Sequence, residues 1–374
     1  MGEGAQALLA APPVGTPAAG RLVANAFLHV GRDRVYNPLT DRTLHEGDAG
    51  YAELRRVLGG EEAAELPEAV REGLHAAGWL AAAELDLSRQ FHLKYVSLEA
   101  HTVCNQSCYF CPVSIAPREA HFMPMEQYRD IVRQLTEWRS SIEAVFMINY
   151  NEPTADKRFV EQVGVIREAG LAPAVLTNGS GLTPDRVDAL AAMGGLRFLS
   201  INLSTVDRER YRATRGGDHL AKVLKNLDYA KDKAVAERMD IVVLGTGDET
   251  HQRDFEEIAA RFEGSRFAVS KHRVMDRAGL LQIGARPLKP HQRLRGCDNV
   301  GSRPLQHLHI TPHGKVVLCC EDYYENHVIG DLAQSSVREV LTGHVVAQMR
   351  RWVYGLEEAP ADFMCRKCVF ARFR

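Results

Sequence analysis

The chain has 374 residues, of which 45% are hydrophobic and 25% charged, proportions typical of soluble globular proteins. Its 46 basic and 48 acidic residues leave a formal net charge of -2, which does not favour a nucleic-acid-binding protein. The longest apolar run near the middle, residues 144–148, is far too short to span a bilayer. The start of the chain has no basic region of the kind that opens a signal peptide. We therefore expect a cytoplasmic protein of two or three domains that binds neither nucleic acid nor membranes.

The N-terminal quarter is predicted to hold a disordered tail and one small domain. Residues 1–21 are rich in Ala, Pro and Gly, which favours disorder. Residues 22–90 begin with strand-like sequence over 22–30, and a second strand ends at the turn Asn37-Pro38. Two helices with apolar stripes follow, around Leu54 and Leu74. Short strands followed by helices predict a small winged-helix-like domain.

Residues 95–280 alternate strand and helix patterns about six times. Such alternation predicts parallel strands in an α/β fold, here a partial (β/α) TIM-like barrel. In barrels of this kind the functional residues lie at the C-terminal ends of the strands. The expected strands lie at 95–99, 144–148, 174–176, 197–201, 241–244 and 267–269.

The pattern changes again over residues 281–374, where it predicts a C-terminal α+β domain. Residues 305–310 and 315–318 flank the turn Thr311-Pro312-His313-Gly314, a pattern typical of a β-hairpin. One long helix is expected to carry apolar residues from Val337 to Trp352. A short tail with two cysteines ends the chain.

The eight cysteines fall into two groups. Three lie within eight residues of one another, and five lie in the last quarter of the chain. Cytosolic chains seldom use cysteines for disulfides, so metal binding or catalysis is the expected role. The cysteines are Cys104, Cys108, Cys111, Cys297, Cys319, Cys320, Cys365 and Cys368.

The first group has the spacing Cx3Cx2C and follows the first barrel strand. Three thiolates leave one position open, which suits a structural zinc site poorly because such sites normally have four protein ligands. The arrangement suits a 4Fe-4S cluster with one accessible iron. Cys104, Cys108 and Cys111 in this place resemble the motif of radical S-adenosylmethionine (radical SAM) enzymes. The resemblance implies that SAM chelates the open iron and is cleaved reductively to a 5′-deoxyadenosyl radical, with electrons from a donor such as flavodoxin or ferredoxin.

The same resemblance implies cofactor contacts at the strand ends. Glu152, in Asn149-Tyr150-Asn151-Glu152-Pro153, takes the place of the glutamate that holds the SAM amino group, although Tyr-Asn replaces the usual Gly-Gly. Other implied SAM contacts are Phe110, Thr177, Asn178, Ser200, Asn202 and Arg215. From the residues alone, a core position for Phe110, a plain turn at Thr177-Asn178 and a solvated Arg215 remain open.

The second group resembles the SPASM/twitch extension found in some radical SAM enzymes. Gly314 precedes Cys319 with the spacing Gx4C, and the tail ends in a CxxC pair. Five cysteines are too few for two clusters, so the resemblance implies one auxiliary 4Fe-4S cluster; structural zinc is the alternative. The implied ligands are Cys297, Cys319, Cys365 and Cys368.

Two residues are candidates for catalysis. Cys320 is left over from the two cluster assignments and is a candidate hydrogen-atom donor; alternatively it is a small buried side chain or replaces Cys319 as a ligand. His272 stands between Lys271 and Arg273 at the end of the sixth expected strand, where a substrate base would be placed.

Residues 22–85 resemble the PqqD-like elements that recognise leader peptides, through Val35-Tyr36-Asn37-Pro38 and the segment 74–80. Such an element binds a peptide along a strand edge; a structural cap on the barrel is the alternative.

We predict a radical SAM oxidoreductase that oxidises or cross-links a ribosomally made peptide during natural-product maturation. The alternative is a dehydrogenase or epimerase of a sugar or aminocyclitol in antibiotic biosynthesis. A non-catalytic zinc or iron-sulfur protein is the remaining possibility.

Overall fold

The computed structural model describes residues 20–283 and 292–373, which divide into two compact units. The first unit ends at Leu87 and the second begins at Ser88. The tail expected over residues 1–21 lies outside the described residues except for its last two positions. Among the described residues, no helix is both long enough and apolar enough to cross a membrane.

The described part of the first unit, residues 20–87, contains five short strands and two α-helices. They are β1 (Leu22–Ala24), β2 (His29–Val30), β3 (Arg34–Asn37), β4 (Arg42–His45), α1 (Tyr51–Leu58), α2 (Glu68–Ala76) and β5 (Leu80–Ala82). Strands β2, β3 and β4 form an antiparallel sheet, and β1 pairs with β5. Val35, Leu54 and Leu74 belong to the apolar core of this unit.

The expectation of one strand over residues 22–30 is wrong. The chain turns between β1 and β2 because Asn25 offers a local alternative to the strand ladder. Its side-chain Oδ1 accepts a hydrogen bond from the backbone N–H of Phe27 at 2.9 Å. Its carbonyl accepts another from Leu28.

The second unit is built on six parallel strands in chain order, which confirms the expected partial barrel. Their hydrophobic residues are largely buried, as in parallel sheets covered by helices. The strands are β6 (Tyr95–Leu98), β7 (Ala144–Phe146), β8 (Pro173–Thr177), β9 (Leu196–Asn202), β10 (Ala236–Gly245) and β11 (Phe267–Arg273).

Helices connect these strands. The buried face of the first barrel helix includes Tyr128, Ile131 and Leu135, as its apolar spacing predicts. Two helices rather than one lie between β9 and β10. The helices are α3 (Met125–Leu135), α4 (Phe159–Glu168), α5 (Pro184–Ala192), α6 (Arg208–Arg215), α7 (Leu220–Ala230) and α8 (Glu249–Arg261).

The C-terminal part continues the barrel sheet. Its first hairpin strand pairs in parallel with β6, so the sheet has nine strands in the order β11-β10-β9-β8-β7-β6-β13-β14-β15. The remaining elements are β12 (Leu294–Cys297), α9 (Arg303–Gln306), β13 (His307–Ile310), β14 (Lys315–Val317), β15 (Val328–Asp331), α10 (Val337–Thr342), α11 (His344–Val353) and β16 (Ala371–Phe373).

Two details of this part differ from expectation. The hairpin is present, but its first strand starts at His307 because Leu305 and Gln306 donate to the carbonyl of Ser302 and complete a helical turn. The single helix expected from Val337 to Trp352 is two helices. Gly343 separates them with an extended backbone (ψ 164°) that ends α10 and precedes α11.

Candidate functional site

The first three cysteines lie on the loop that follows β6. The C-terminal end of α6 holds this loop, because Ser107 and Tyr109 donate backbone hydrogen bonds to the carbonyls of Arg215 and Thr214. Gly216 makes this contact possible. Its φ is +68°, and a Cβ there would lie 2.0 Å from the Oγ of Ser107.

The three thiols are close enough to affect one another. Cys108 is buried, and Cys104 and Cys111 are half-buried. Burial raises the pKa of Cys104 to about 12 and also raises the pKa of Cys111, and the neighbouring thiols add to both shifts. Three thiolates gathered in a low-dielectric site need a cation, which an iron cluster supplies. The donor set therefore fits the expected cluster.

Arg215 connects this loop to the end of β9. Its guanidinium Nη2 donates to Asn202 Oδ1 and Ser204 Oγ, both at 2.7 Å. Its Nη1 lies 3.6 Å from Cys108 Sγ, and the cation lies 5.0 Å from the ring centroid of Phe110. Its Nε is buried and has no acceptor in the part of the chain that the structure describes. The structure thus brings four predicted site residues together and leaves one N–H donor available.

Glu152 is buried in the segment that follows β7. Its carboxylate accepts hydrogen bonds from the backbone N–H groups of Thr154 (3.0 Å) and Asn178 (2.7 Å) and from the hydroxyl of Thr177 (2.5 Å). Burial raises the pKa of Glu152 above its usual range, although these donors oppose the shift. A buried carboxylate held in this way is suited to pair with a cationic amino group.

Three other predicted site residues, Asn178, Ser200 and His272, have different surroundings. Asn178 donates to Asn105 Oδ1 on the cysteine loop at 2.8 Å. Ser200 is half-buried in β9, on the same face as Asn202 two residues later. His272 is exposed near the end of β11, opposite Leu244 of β10.

Four cysteines of the second group line one cavity. Cys297 ends β12, which pairs with β16 just beyond the CxxC pair, and Cys319 follows β14. Burial raises the pKa of Cys297 and Cys365, and that of Cys368 to about 12. A closed set of four thiols fits a fully ligated cluster. The cysteines lining the cavity are Cys297, Cys319, Cys365 and Cys368.

Cys320 is not among the residues that line this cavity. Arg303 donates a hydrogen bond from Nη1 to Cys320 Sγ, and the Tyr150 hydroxyl donates to the Cys320 carbonyl. Hydrogen bonding by Cys319 and the charge of Arg303 lower the pKa of Cys320 to about 7. The donor atoms of Cys320, Cys319 and His309 lie within 4.8 Å of one another. This geometry places Cys320 beside the four-cysteine cavity as the partner of a cation.

Two carboxylates at strand ends were not predicted from the sequence. Glu99 follows β6 and pairs with Arg118 at 3.2 Å. Asp276 lies in the loop after β11 and is 2% exposed, and neither carboxylate oxygen has a hydrogen-bond partner among the described residues. The next two residues, Arg277 and Ala278, have φ values of +53° and +54°. Glu99 and Asp276 could have been found from the sequence by their positions, because each follows a barrel strand.

Arg277 links this loop to the second cysteine group. Its Nη1 lies 3.3 Å from the carboxylate of Glu321, which lines the four-cysteine cavity. The same cation lies 5.9 Å from the ring of Tyr150. Arg277 therefore joins the loop after β11 to a residue that lines the four-cysteine cavity.

Comparisons with known proteins agree with this geometry. The family model of the radical SAM superfamily matches residues 98–262, and that of an iron-sulfur cluster-binding domain, SPASM, matches residues 297–369. The S-adenosyl-L-methionine-dependent 2-deoxy-scyllo-inosamine dehydrogenase of Niallia circulans is 30% identical over 110 residues, which are 28% of this chain and 42% of that protein. The chain spans only about two fifths of the length of the curated relatives that it matches.

Solved structures share the fold at low identity. Streptococcus suis SuiB bound to its precursor peptide SuiA is similar over 93% of each chain, with 11% identity and a TM-score of 0.57. BtrN in complex with AdoMet and 2-DOIA is similar over 74% of this chain and 93% of its own, with 18% identity and a TM-score of 0.50. The family matches and the two cysteine groups together show that the chain belongs to the radical SAM superfamily and carries a SPASM iron-sulfur cluster-binding domain.

Proposed function

We propose that the protein is an oxidoreductase that removes two electrons from one position of a peptide substrate. The observation that carries this proposal is the separation of the cysteines into two sites. Three lie on the loop after β6, which both Arg215 and Glu152 contact, and four line a separate cavity. Membership of the radical SAM superfamily implies that the first site binds a 4Fe-4S cluster and SAM. The SPASM match implies that the C-terminal domain binds auxiliary iron-sulfur clusters.

Each group of site residues has its own role in the proposed reaction. When bound, the reduced cluster and SAM supply a 5′-deoxyadenosyl radical that takes one hydrogen atom from the substrate. Glu152 pairs with the SAM amino group, and the free Nε of Arg215 donates to its carboxylate. An auxiliary cluster would supply the acceptor for the second electron and a base would take the proton, which together with the hydrogen atom balances a two-electron oxidation. Cys297, Cys319, Cys365 and Cys368 would hold that electron acceptor.

The N-terminal unit supports a peptide substrate. Residues 88–374 make up about three quarters of the chain, so a structural match over 93% must extend into the first unit. That match is to SuiB, whose structure contains its precursor peptide. In the first unit, β4 forms one edge of the three-stranded sheet and is largely exposed, as an edge that receives a peptide strand must be.

A second candidate is the dehydrogenation of a small molecule. The local sequence match to 2-deoxy-scyllo-inosamine dehydrogenase and the fold match to BtrN favour it. The BtrN match covers 74% of this chain. Under this candidate the first unit would serve as a structural cap, with no role in substrate binding.

Anaerobic reconstitution with iron and sulfide tests the cofactor part of the proposal. We expect about eight irons per chain, from two four-iron clusters, and release of 5′-deoxyadenosine from SAM on reduction. Cys365→Ala should retain SAM cleavage but form no oxidised product. Normal product formation by this variant would contradict the auxiliary role, and zinc in place of iron would favour a non-catalytic metal protein.

Peptide binding tests the substrate part. Candidate peptides are those encoded by short reading frames beside the gene, and their affinity is compared for the full chain and a variant lacking residues 1–87. We expect affinity to fall at least tenfold, the effect of losing about 1.4 kcal/mol of binding free energy. Retained SAM cleavage shows that the shortened chain is folded. Unchanged peptide affinity would instead favour the small-molecule candidate.

A further inference from the structure

Arg303 places a cation beside the four-cysteine cavity. It is the first residue of the short helix α9, and the next residue, Pro304, lines that cavity. One guanidinium nitrogen donates to Cys320 Sγ. The Nε of Arg303 is buried and has no acceptor in residues 20–283 or 292–373. A buried cation with an unused donor needs a further negative partner.

The cavity cysteines are the partners within reach. Burial raises the pKa of Cys297 and of Cys368, and the charge of the nearby Arg303 opposes both shifts. At Cys297 the backbone N–H of Arg303 opposes the shift as well. One residue therefore presents both a charge and a hydrogen-bond donor to the site.

The other charges around the cavity are already compensated. Glu321 lines the cavity, and its carboxylate pairs with Arg277 at 3.3 Å. Cys320 satisfies one guanidinium nitrogen of Arg303 and leaves the Nε donor unused. The net charge around the cavity therefore depends on Arg303.

Net charge and hydrogen bonds to sulfur set the reduction potential of an iron-sulfur cluster. A cation in a low-dielectric site favours the form that carries one more electron. We propose that Arg303 raises the reduction potential of the auxiliary cluster and thereby makes it a competent electron acceptor, with Cys320 as the positioning residue that fixes the guanidinium. This inference rests on the proposed function, which assigns that cluster to the four cavity cysteines.

The test isolates the auxiliary cluster. A background with Cys104→Ala, Cys108→Ala and Cys111→Ala removes the first cluster, so an EPR-monitored redox titration reports only the second. In this background, Arg303→Met removes the charge and Arg303→Lys keeps it. Arg338→Met, which removes an exposed arginine of α10, is the matched control.

We expect Arg303→Met to lower the ratio of reduced to oxidised cluster at least tenfold at a fixed potential, a shift of about 59 mV for one electron. Arg303→Lys and Arg338→Met should stay within about threefold of the background protein. Cys320→Ala removes the hydrogen bond that fixes the guanidinium and should shift the ratio in the same direction as Arg303→Met, by a smaller factor.

The titration distinguishes a failure of the proposed cluster site from a failure of the inference about Arg303. If the background protein binds no iron, the proposed cluster site is wrong. If its cluster forms and Arg303→Met leaves the potential unchanged, the inference about Arg303 is wrong. Should Arg303→Met itself bind no iron, Cys320→Ala decides, because an unchanged or raised potential in that variant contradicts the role of the positioned guanidinium.

Discussion

The guanidinium Nη1 of Arg215 lies 3.6 Å from the sulfur of Cys108, although 107 positions separate the two residues along the chain. The same guanidinium bonds to Asn202 and Ser204 of the β9 end. One buried side chain thus joins the cysteine loop to the strand end that is expected to contact SAM. Arg215 acts as an organiser of the site and keeps one donor for a ligand.

Arg215→Lys should weaken SAM binding about 10- to 100-fold, because a lysine cannot reproduce several directed bonds from one planar group. Isothermal titration of the reconstituted protein with SAM measures this effect. Arg212→Lys, at an exposed arginine of the same helix, is the matched control. Equal SAM affinity in both variants would show that Arg215 has no part in the site.

Glu152→Gln should weaken SAM binding at least about 30-fold, the effect of removing one member of a buried charged pair. The pKa of Glu152 is raised by burial, so its carboxylate takes up a proton at a higher pH than an exposed one. The proposed pairing of Glu152 with the SAM amino group requires the ionised form. Affinity should therefore fall as the pH falls through this raised pKa, and Glu152→Gln should lack that dependence.

Titrations with SAM at several pH values check this sign. Glu161→Gln is the control, since Glu161 pairs with Arg129 on the surface and is 48% exposed. The two variants should differ both in affinity and in the slope against pH. A wild-type affinity that rises on acidification would contradict the role of Glu152.

Cys319→Ala should remove about four of about eight irons per chain, whereas Cys320→Ala should retain all of them. The reason is that Cys319 lines the four-cysteine cavity, while Cys320 lies beside it with Arg303. Iron analysis after anaerobic reconstitution measures both. The reverse pattern would assign the ligand to Cys320.

Asp276→Asn should stabilise the protein before reconstitution by about 1 kcal/mol, because it removes a buried charge that has no partner among the described residues. Burial raises the pKa of Asp276. The folded state therefore binds this proton more tightly than the unfolded state does. The wild-type protein should lose this contribution as the pH rises through the raised pKa.

Thermal unfolding of both proteins between pH 4 and 7 measures the difference, and the two curves should converge at low pH. We also expect Asp276→Asn to lower product formation while SAM cleavage persists. The reason is that Asp276 follows β11, at the strand ends where barrel enzymes bind their substrates, and its carboxylate oxygens have no partner among the described residues. A destabilised variant with full product formation would contradict both expectations.

Much of this architecture is readable from the sequence. The six barrel strands and the hairpin follow from apolar runs and turn residues, and the cysteine spacing indicates two sites. The pairing of β6 with β13 joins segments more than 200 positions apart, and no local pattern encodes it. The breaks at Asn25 and Gly343 depend on single residues that compete with an otherwise continuous pattern.

The site residues divide in the same way. Glu152 and Arg215 were expected from their motif, and the structure adds the bonds that hold them. Arg303 and Asp276 belong to no motif. Their significance lies in buried atoms that lack partners among the described residues, a property that only three-dimensional packing creates.

The parallel pairing of β6 with β13 has a consequence for electron movement. β6 leads directly into the loop with Cys104, and β13 is bonded to β14, which leads to Cys319. β6 and β14 lie two strand spacings, about 10 Å, apart in the sheet. Because β14 runs antiparallel to β13, the segments that lead to Cys104 and Cys319 leave the sheet at opposite ends. Tunnelling rates fall steeply with distance, and a hydrogen-bonded sheet changes its dimensions far less than a flexible linker does. The shared sheet therefore holds the two segments that lead to the cysteine groups at fixed positions relative to one another.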